Sequence, residues 1–147
     1  MGLTIMTIHQ LSIFIENRSG TLIKVLDALK EAHIQIIAST IADTADYGIY
    51  RLICSEPMRA CDELKRAGVA VALSEVFVIA IDNEPGRAAD AVKAFSQADI
   101  DITYMYSFLN ENRGLLIFRT NDNERAQQII TTNNMQIISE EALQSLV

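Results

Sequence analysis

The stretch Leu11-Ser12-Ile13-Phe14-Ile15-Glu16-Asn17-Arg18-Ser19-Gly20-Thr21-Leu22 changes its period half-way along. Leu11, Ile13 and Ile15 alternate with Ser12, Phe14 and Glu16, the period of two that marks a strand. After the turn Asn17-Arg18-Ser19-Gly20, the apolar residues Leu22, Val25, Leu26, Leu29 and Ala32 recur at helical spacing. A strand, a tight turn and an amphipathic helix ending near His33 are therefore predicted. Sixty-six residues later the chain repeats itself without a gap. Ile13 falls on Ile79, Ile15 on Ile81, Asn17 on Asn83 and Gly20 on Gly86. Ala28 meets Ala94, Ala32 meets Ala98, Ile34 meets Ile100 and Ile36 meets Ile102. Gly48, Arg59, Ala60 and Glu75 meet Gly114, Arg125, Ala126 and Glu141. Matched Asn and Gly at turn positions argue for a true internal repeat.

Outward from the turn, each copy has the same order. The β-branched run 34–41 predicts a second strand, and Asp43-Thr44-Ala45-Asp46 with Gly48 leads into a third at 49–54. Pro57 suits the first position of a short helix, with Ser55 and Glu56 as capping candidates and Gly68 as its stop. Residues 69–73 form the last strand. The second copy reads 76–82, 86–98, 100–107, 114–120, 123–132 and 135–138, followed by a tail helix over 140–146 that Ser139 could cap. The order β-α-β-β-α-β is the split βαβ, or ferredoxin-like, unit. The expected fold class is α+β: two tandem ferredoxin-like modules, residues 1–75 and 76–147, each an antiparallel sheet with helices on one face.

Composition narrows the function. The 147 residues are 50% apolar and 21% charged, with six Gly and two Pro, so a packed core is expected and disorder is not. No run resembles a membrane span, and the first residues carry neither a secretory signal nor a myristoylation motif. A net charge of −7, with 12 Lys and Arg scattered along the chain, argues against direct nucleic-acid binding. Cys54 and Cys61 read as reduced core thiols, and a cytoplasmic location is expected. His9 and His33 have no carboxylate at metal-ligand spacing. No phosphate loop, nucleophile elbow or zinc-protease motif is present. A ferredoxin-like copper carrier would need paired cysteines in the first loop, and an RNA-recognition fold would need aromatics flanked by basic residues. An acylphosphatase would need a phosphate-cradling loop, of which Arg18 is only an echo. Asp43, Asp46, Glu111 and Glu124 read as solvated turn and surface residues.

The candidate chemistry lies in the matched turns, Asn17-Arg18-Ser19-Gly20-Thr21-Leu22 and Asn83-Glu84-Pro85-Gly86-Arg87-Ala88. A glycine opening a helix lets a ligand approach bare amides, which favour a carboxylate. An Asn three residues earlier can both donate and accept. A small zwitterion needs both kinds of partner. The same residues also admit a purely structural reading, since Asn17 and Asn83 suit an N-cap and Pro85 suits the first helical position. The second strand carries no charge or proline from Ile34 to Ala42, although in this topology it lies at a sheet edge. An undefended edge suggests pairing with another copy.

Each repeat resembles an ACT domain, the small module that binds amino acids and regulates metabolic enzymes. The resemblance rests on Ile13–Glu16, the Asn17–Leu22 turn, Ala32-His33-Ile34-Gln35-Ile36 and Gly48. In the second copy it rests on Ile79–Asp82, Asn83-Glu84-Pro85-Gly86, Ala98-Asp99-Ile100-Asp101-Ile102 and Gly114. It covers nearly the whole chain and implies a stand-alone, non-catalytic regulatory protein with no cofactor. In ACT sites the turn of one module faces a polar residue early in the second strand of another. Carried over, this gives Asn17 (with Arg18, Ser19, Gly20, Thr21 and Leu22) and Gln35, and Asn83 (with Glu84, Pro85, Gly86 and Arg87) and Asp101. Ile15 and Ile81 stand where serine-binding members carry His, so serine is not implied. The two sites differ, with Arg18 and neutral Gln35 in one and Glu84, Arg87 and acidic Asp101 in the other. Tyr104 and Tyr106 could stack on a ligand or serve packing. The implied partners are a free amino acid, a metabolic enzyme or regulator, and a second copy in a homodimer. The alternative is a structural subunit with degenerate pockets.

Overall fold

The computed structural model describes residues 4–16, 20–43 and 47–147. In chain order the elements are β1 (Ile8–Glu16), α1 (Thr21–Glu31), β2 (Ile36–Asp43), β3 (Tyr47–Cys54), α2 (Pro57–Arg66) and β4 (Val71–Asp82), then α3 (Arg87–Gln97), β5 (Ile102–Asn110), β6 (Arg113–Thr120), α4 (Asn123–Thr132), β7 (Gln136–Ile137) and α5 (Glu140–Gln144). The chain divides into two compact units. One comprises His9–Ser74 with Glu141–Val147, and the other residues 4–8 with Glu75–Glu140. The tail thus groups with the repeat that opens the chain, not the one it follows in sequence, and its Leu143 is buried. The expected last strand of the first repeat and first strand of the second are one continuous strand, β4.

In the first unit, β3 pairs antiparallel with both β1 and β2, and β1 lies between β3 and β4. The registers Leu11↔Leu52 and Ile13↔Tyr50 put alternate apolar side chains on one face. There they meet Val25 and Leu29 of α1 and Ala60 and Leu64 of α2, all almost fully buried. The predicted period of two for the strand and 3.6 for the helix thus converge on one core. The Phe14 amide donates to the Ala70 carbonyl at 3.0 Å, and the hydroxyls of Ser12 and Ser74 lie 3.1 Å apart.

The second unit repeats the plan. β6 pairs antiparallel with β4 and β5, and β7 pairs with β4. Phe77↔Phe118 and Ile79↔Leu116 face Ala91 and Phe95 of α3 and Ala126 and Ile130 of α4. Three aromatic rings knit this core. Phe118 lies 5.7 Å from Phe77 and 5.2 Å from Phe95, within the range of favourable ring pairs. β7 has only two residues, shorter than the strand expected over 135–138, and the Ile138 amide still donates to the Val78 carbonyl at 2.8 Å.

The sequence repeat holds to the residue. α1 superposes in numbering on α3, and α2 on α4, with the same shift of sixty-six. Gly20 and Gly86 both open their helices at positive φ, 102° and 90°. His33 and Asp99 end them at 58° and 59°, and Gly68 and Asn134 take 82° and 53°. Gln35 and Ser55 exchange hydrogen bonds, the Gln35 amide donating to Ser55 Oγ at 3.0 Å and the Ser55 amide to the Gln35 carbonyl at 2.9 Å. Asp101 and Asn121 do the same one repeat later. Ser55 is thereby occupied and does not cap α2, whose entry is set by Pro57 instead. In α4 Asp122 takes the capping role, accepting from the Arg125 amide at 3.1 Å.

Candidate ligand site

The turn between β4 and α3 is built by Gly86. Its φ of 90° is open to glycine at little cost, and a Cβ placed there would meet nothing within 4 Å. The glycine is therefore required by backbone conformation and not by lack of space. Gly86 is the N-cap residue, so no side chain caps α3; the Arg87 amide donates to the Glu84 carbonyl at 3.3 Å. Asn83, a capping candidate by sequence, does something else: its Nδ2 donates to Asn112 Oδ1 at 3.0 Å.

Asn112 sits at the tip of the β5–β6 hairpin. Asn110 pairs with Arg113, leaving Glu111 and Asn112 as a two-residue loop with φ of 49° and 64°. Positive φ at both central residues is the type I′ geometry that matches strand twist. Asn tolerates that region and keeps a side chain free to reach Asn83. In the sequence Asn112 carries no signal beyond an Asn in a short turn between two strands.

Between this hairpin and the turn lies a cleft of about 330 Å³. Asn83, Glu84 and Gly86 line it from the turn, Ser107 and Leu109 from β5, Gly114 and Leu116 from β6, and Ala88 from α3. The registers Ile81↔Gly114 and Leu109↔Gly114 put Ile81, Gly114 and Leu109 side by side. Gly114 lacks a side chain for a reason of space, since a Cβ there would approach Ile81 Cγ1 to 3.0 Å.

The other expected residues separate. Pro85 is exposed and does not line this cleft. Arg87 points to a second cleft of about 590 Å³, with Asp90, Asn133, Asn134 and Gln136. Its guanidinium donates to Glu84 at 2.8 Å and to Asp90 at 3.4 Å. These bonds, Glu84's first, push the Arg87 pKa further above its ordinary value. Asp101 lines a third hollow of about 270 Å³ with Val92, Ser96, Asp99 and Ile102. Within the unit it does not join Asn83. It precedes β5, whose opposite end lines the Asn83 cleft.

In the first unit, Asn17, Arg18 and Ser19 lie outside the described residues. Gly20 opens α1 as Gly86 opens α3. Thr21 begins that helix, and Leu22 packs against the core. Gln35 is exposed, its backbone tied to Ser55. Tyr104 and Tyr106 are half-buried along β5 and do not line the Asn83 cleft. Cys54 and Cys61 are both buried and neither is in a disulfide. Among the described residues no group of three or more His, Cys, Asp or Glu is placed to hold a metal, and no helix is long and apolar enough to cross a membrane.

Two βαββαβ units in tandem, each opening its first helix with a positive-φ glycine, are matched by a family model described as an ACT domain pair, over residues 6–147. The chain belongs to this family. Its ACT pair resembles a protein of Bacteroides thetaiotaomicron of known crystal structure, with 34% identity and a TM-score of 0.90 over 95% of this chain and 96% of that one. The fold is also that of the regulatory subunit of aspartate kinase from Thermus thermophilus, at 16% identity and a TM-score of 0.62 over 90% and 97% of the two chains. The corresponding subunit from Thermus flavus gives 16% and 0.60 over 88% and 93%. A comparison with curated protein sequences gives no match. ACT domains are regulatory modules, and this ACT pair is an α+β protein of that kind.

Proposed function

We propose that this ACT pair is a non-catalytic sensor that binds a free amino acid at its strand-to-helix turns and signals occupancy to a metabolic enzyme or regulator. The observation that carries this reading is the cleft at Asn83. The amides of Ala88 and Ala89 at the start of α3 have no side-chain cap and suit a carboxylate. The Asn83 side chain can donate and accept, and Glu84, whose Oε2 already holds Arg87, lines the same cleft with its carboxylate. A volume of about 330 Å³ stands at the small end of ligand clefts, which run to roughly 1,000 Å³, and suits an amino acid better than a nucleotide. The likeness to aspartate kinase regulatory subunits supports a regulatory role.

In this reading the two modules are residues 1–75 and 76–147, Gln35 and Asp101 serve a facing module, and the protein works in the cytoplasm as a homodimer. β2 and β5 each end the pairing order, and their exposed Ile36, Ile41, Met105 and Leu109 are apolar edges that a second copy could cover. Those same edges favour the second reading, a structural subunit whose pockets are idle. Ligand binding would order the turn and bias how modules associate, a population shift that a partner reads.

A thermal-shift screen against the twenty amino acids separates the two. A ligand at a hundred times its Kd stabilises by about 2.7 kcal/mol, a rise of about 5–10 °C for a chain of this size. A selective shift that is lost in Asn83→Ala supports the sensor. No shift with any amino acid leaves the structural subunit.

A further inference from the structure

We infer that the two repeats are not equivalent as receptors: each chain holds one amino-acid site, in the second unit, and that site selects an aliphatic side chain. This rests on the amino-acid reading above and goes on to say which repeat binds and what it prefers.

In the second unit the cleft is lined by Ala88 at the start of α3, Ser107 on β5 and Leu116 on β6. One repeat earlier the same places hold Leu22, Ile41 and Tyr50. Leu22 packs against the first core, and Tyr50 is only 6% exposed, fixed between β1 and β2. All three side chains are larger than their counterparts in the second unit, Leu22 and Tyr50 packed into the first core and Ile41 half exposed on β2. Backbone geometry does not differ in the same way, since Gly20 and Gly86 open their helices alike. The difference is in side-chain volume, and close-packed interiors do not readily yield such volume to a ligand.

The wall of the second cleft then sets its preference. Ile81, Ala88, Leu109 and Leu116 present an apolar surface, while the polar side chains are Asp82, Asn83 and Glu84 at the turn end and Ser107 on β5. A bound amino acid whose charged backbone groups meet the turn lays its side chain against these four residues. Leu109 is 66% exposed in the free protein, so covering it with an apolar ligand removes surface that water otherwise touches. A charged side chain laid against those four residues would lose water for no partner on that wall, and an anionic one would also face Asp82 and Glu84. At the matched position the first unit carries Asp43, the opposite choice.

Calorimetric titration of the full chain with leucine, isoleucine and valine, and in parallel with lysine, aspartate and serine, tests this. The expected result is one aliphatic ligand per chain. Ala88→Leu and Ser107→Ile, which import the residues of the first repeat, should each weaken binding at least tenfold. Leu109→Asp should do so as well. Ser107 and Leu109 are exposed on a strand and Leu is a good helix former, so these variants should melt like the parent. Two ligands per chain, tighter binding of a polar or charged amino acid, or full affinity in Ala88→Leu and Ser107→Ile would each overturn the inference while leaving the sensor intact. No binding of any amino acid would overturn both.

Discussion

Asn83 and Asn112, twenty-nine residues apart, are joined side chain to side chain by a 3.0 Å hydrogen bond that ties the turn ahead of α3 to the tip of the β5–β6 hairpin. The bond fixes which way the Asn83 amide faces where Asn83 lines the cleft. Asn112→Gly removes the partner and keeps the positive φ, so the hairpin should survive. Amino-acid affinity should fall about three- to tenfold, the worth of roughly one hydrogen bond. Titration of the variant beside the parent, with melting curves for both, measures this.

Gly20→Ala and Gly86→Ala should each cost about 1–2 kcal/mol, because a Cβ resists the left-handed backbone that both positions adopt. Neither introduces a clash, since no atom lies within 4 Å of the added carbon. The two losses should therefore be alike. Urea unfolding of both variants gives the comparison.

Phe118→Ala should be the most damaging of these substitutions. The ring is 1% exposed and meets Phe77 and Phe95 at once. Truncating such a residue costs about 3–5 kcal/mol through lost burial and the cavity left behind. Denaturant titration would show the loss as a fall in the midpoint.

Gln127 is 5% exposed on α4, where its Oε1 accepts from the Met6 amide at 2.9 Å and its Nε2 reaches Thr131 Oγ1 at 3.5 Å. Gln127→Leu keeps the bulk and deletes the acceptor. Stability should drop by about 1 kcal/mol. Hydrogen exchange at the Met6 amide should quicken while exchange in β6 stays slow.

The exposed ion pairs make the opposite case. Arg87 bridges Glu84 and Asp90 with its side chain 46% exposed. Arg87→Ala should change stability by less than about 1 kcal/mol, and the small effect should shrink further in high salt. Melting at low and high ionic strength checks both statements.

How far the sequence reached is clearest at particular residues. The alternation of Leu11, Ile13 and Ile15 and the helical recurrence from Leu22 to Ala32 are local properties, and β1 and α1 follow them. Gly20 and Gly86 were legible as helix-opening glycines, because a positive φ is a demand made on one residue. Asn83 was legible as a turn residue but not as Asn112's partner, since its role depends on a hairpin folded elsewhere in the chain. Asp101 is expected to face the turn of another module, and within its own unit β5 runs its length between it and Asn83. Ser55, a capping candidate by spacing, is spent on Gln35.

By itself the sequence determined the two βαββαβ repeats, their register of sixty-six residues and the glycines at their turns, because periodicity and backbone conformation are set by a few neighbouring residues. Tertiary structure alone decided that the tail joins the unit of the first repeat, that one strand serves both repeats, and that Asn83 reaches Asn112. It also decided that Ile81, Ala88, Leu109 and Leu116 converge on a cleft. Those outcomes depend on which distant side chains meet when the sheet pairs and its core closes. No window of neighbouring residues encodes such a meeting.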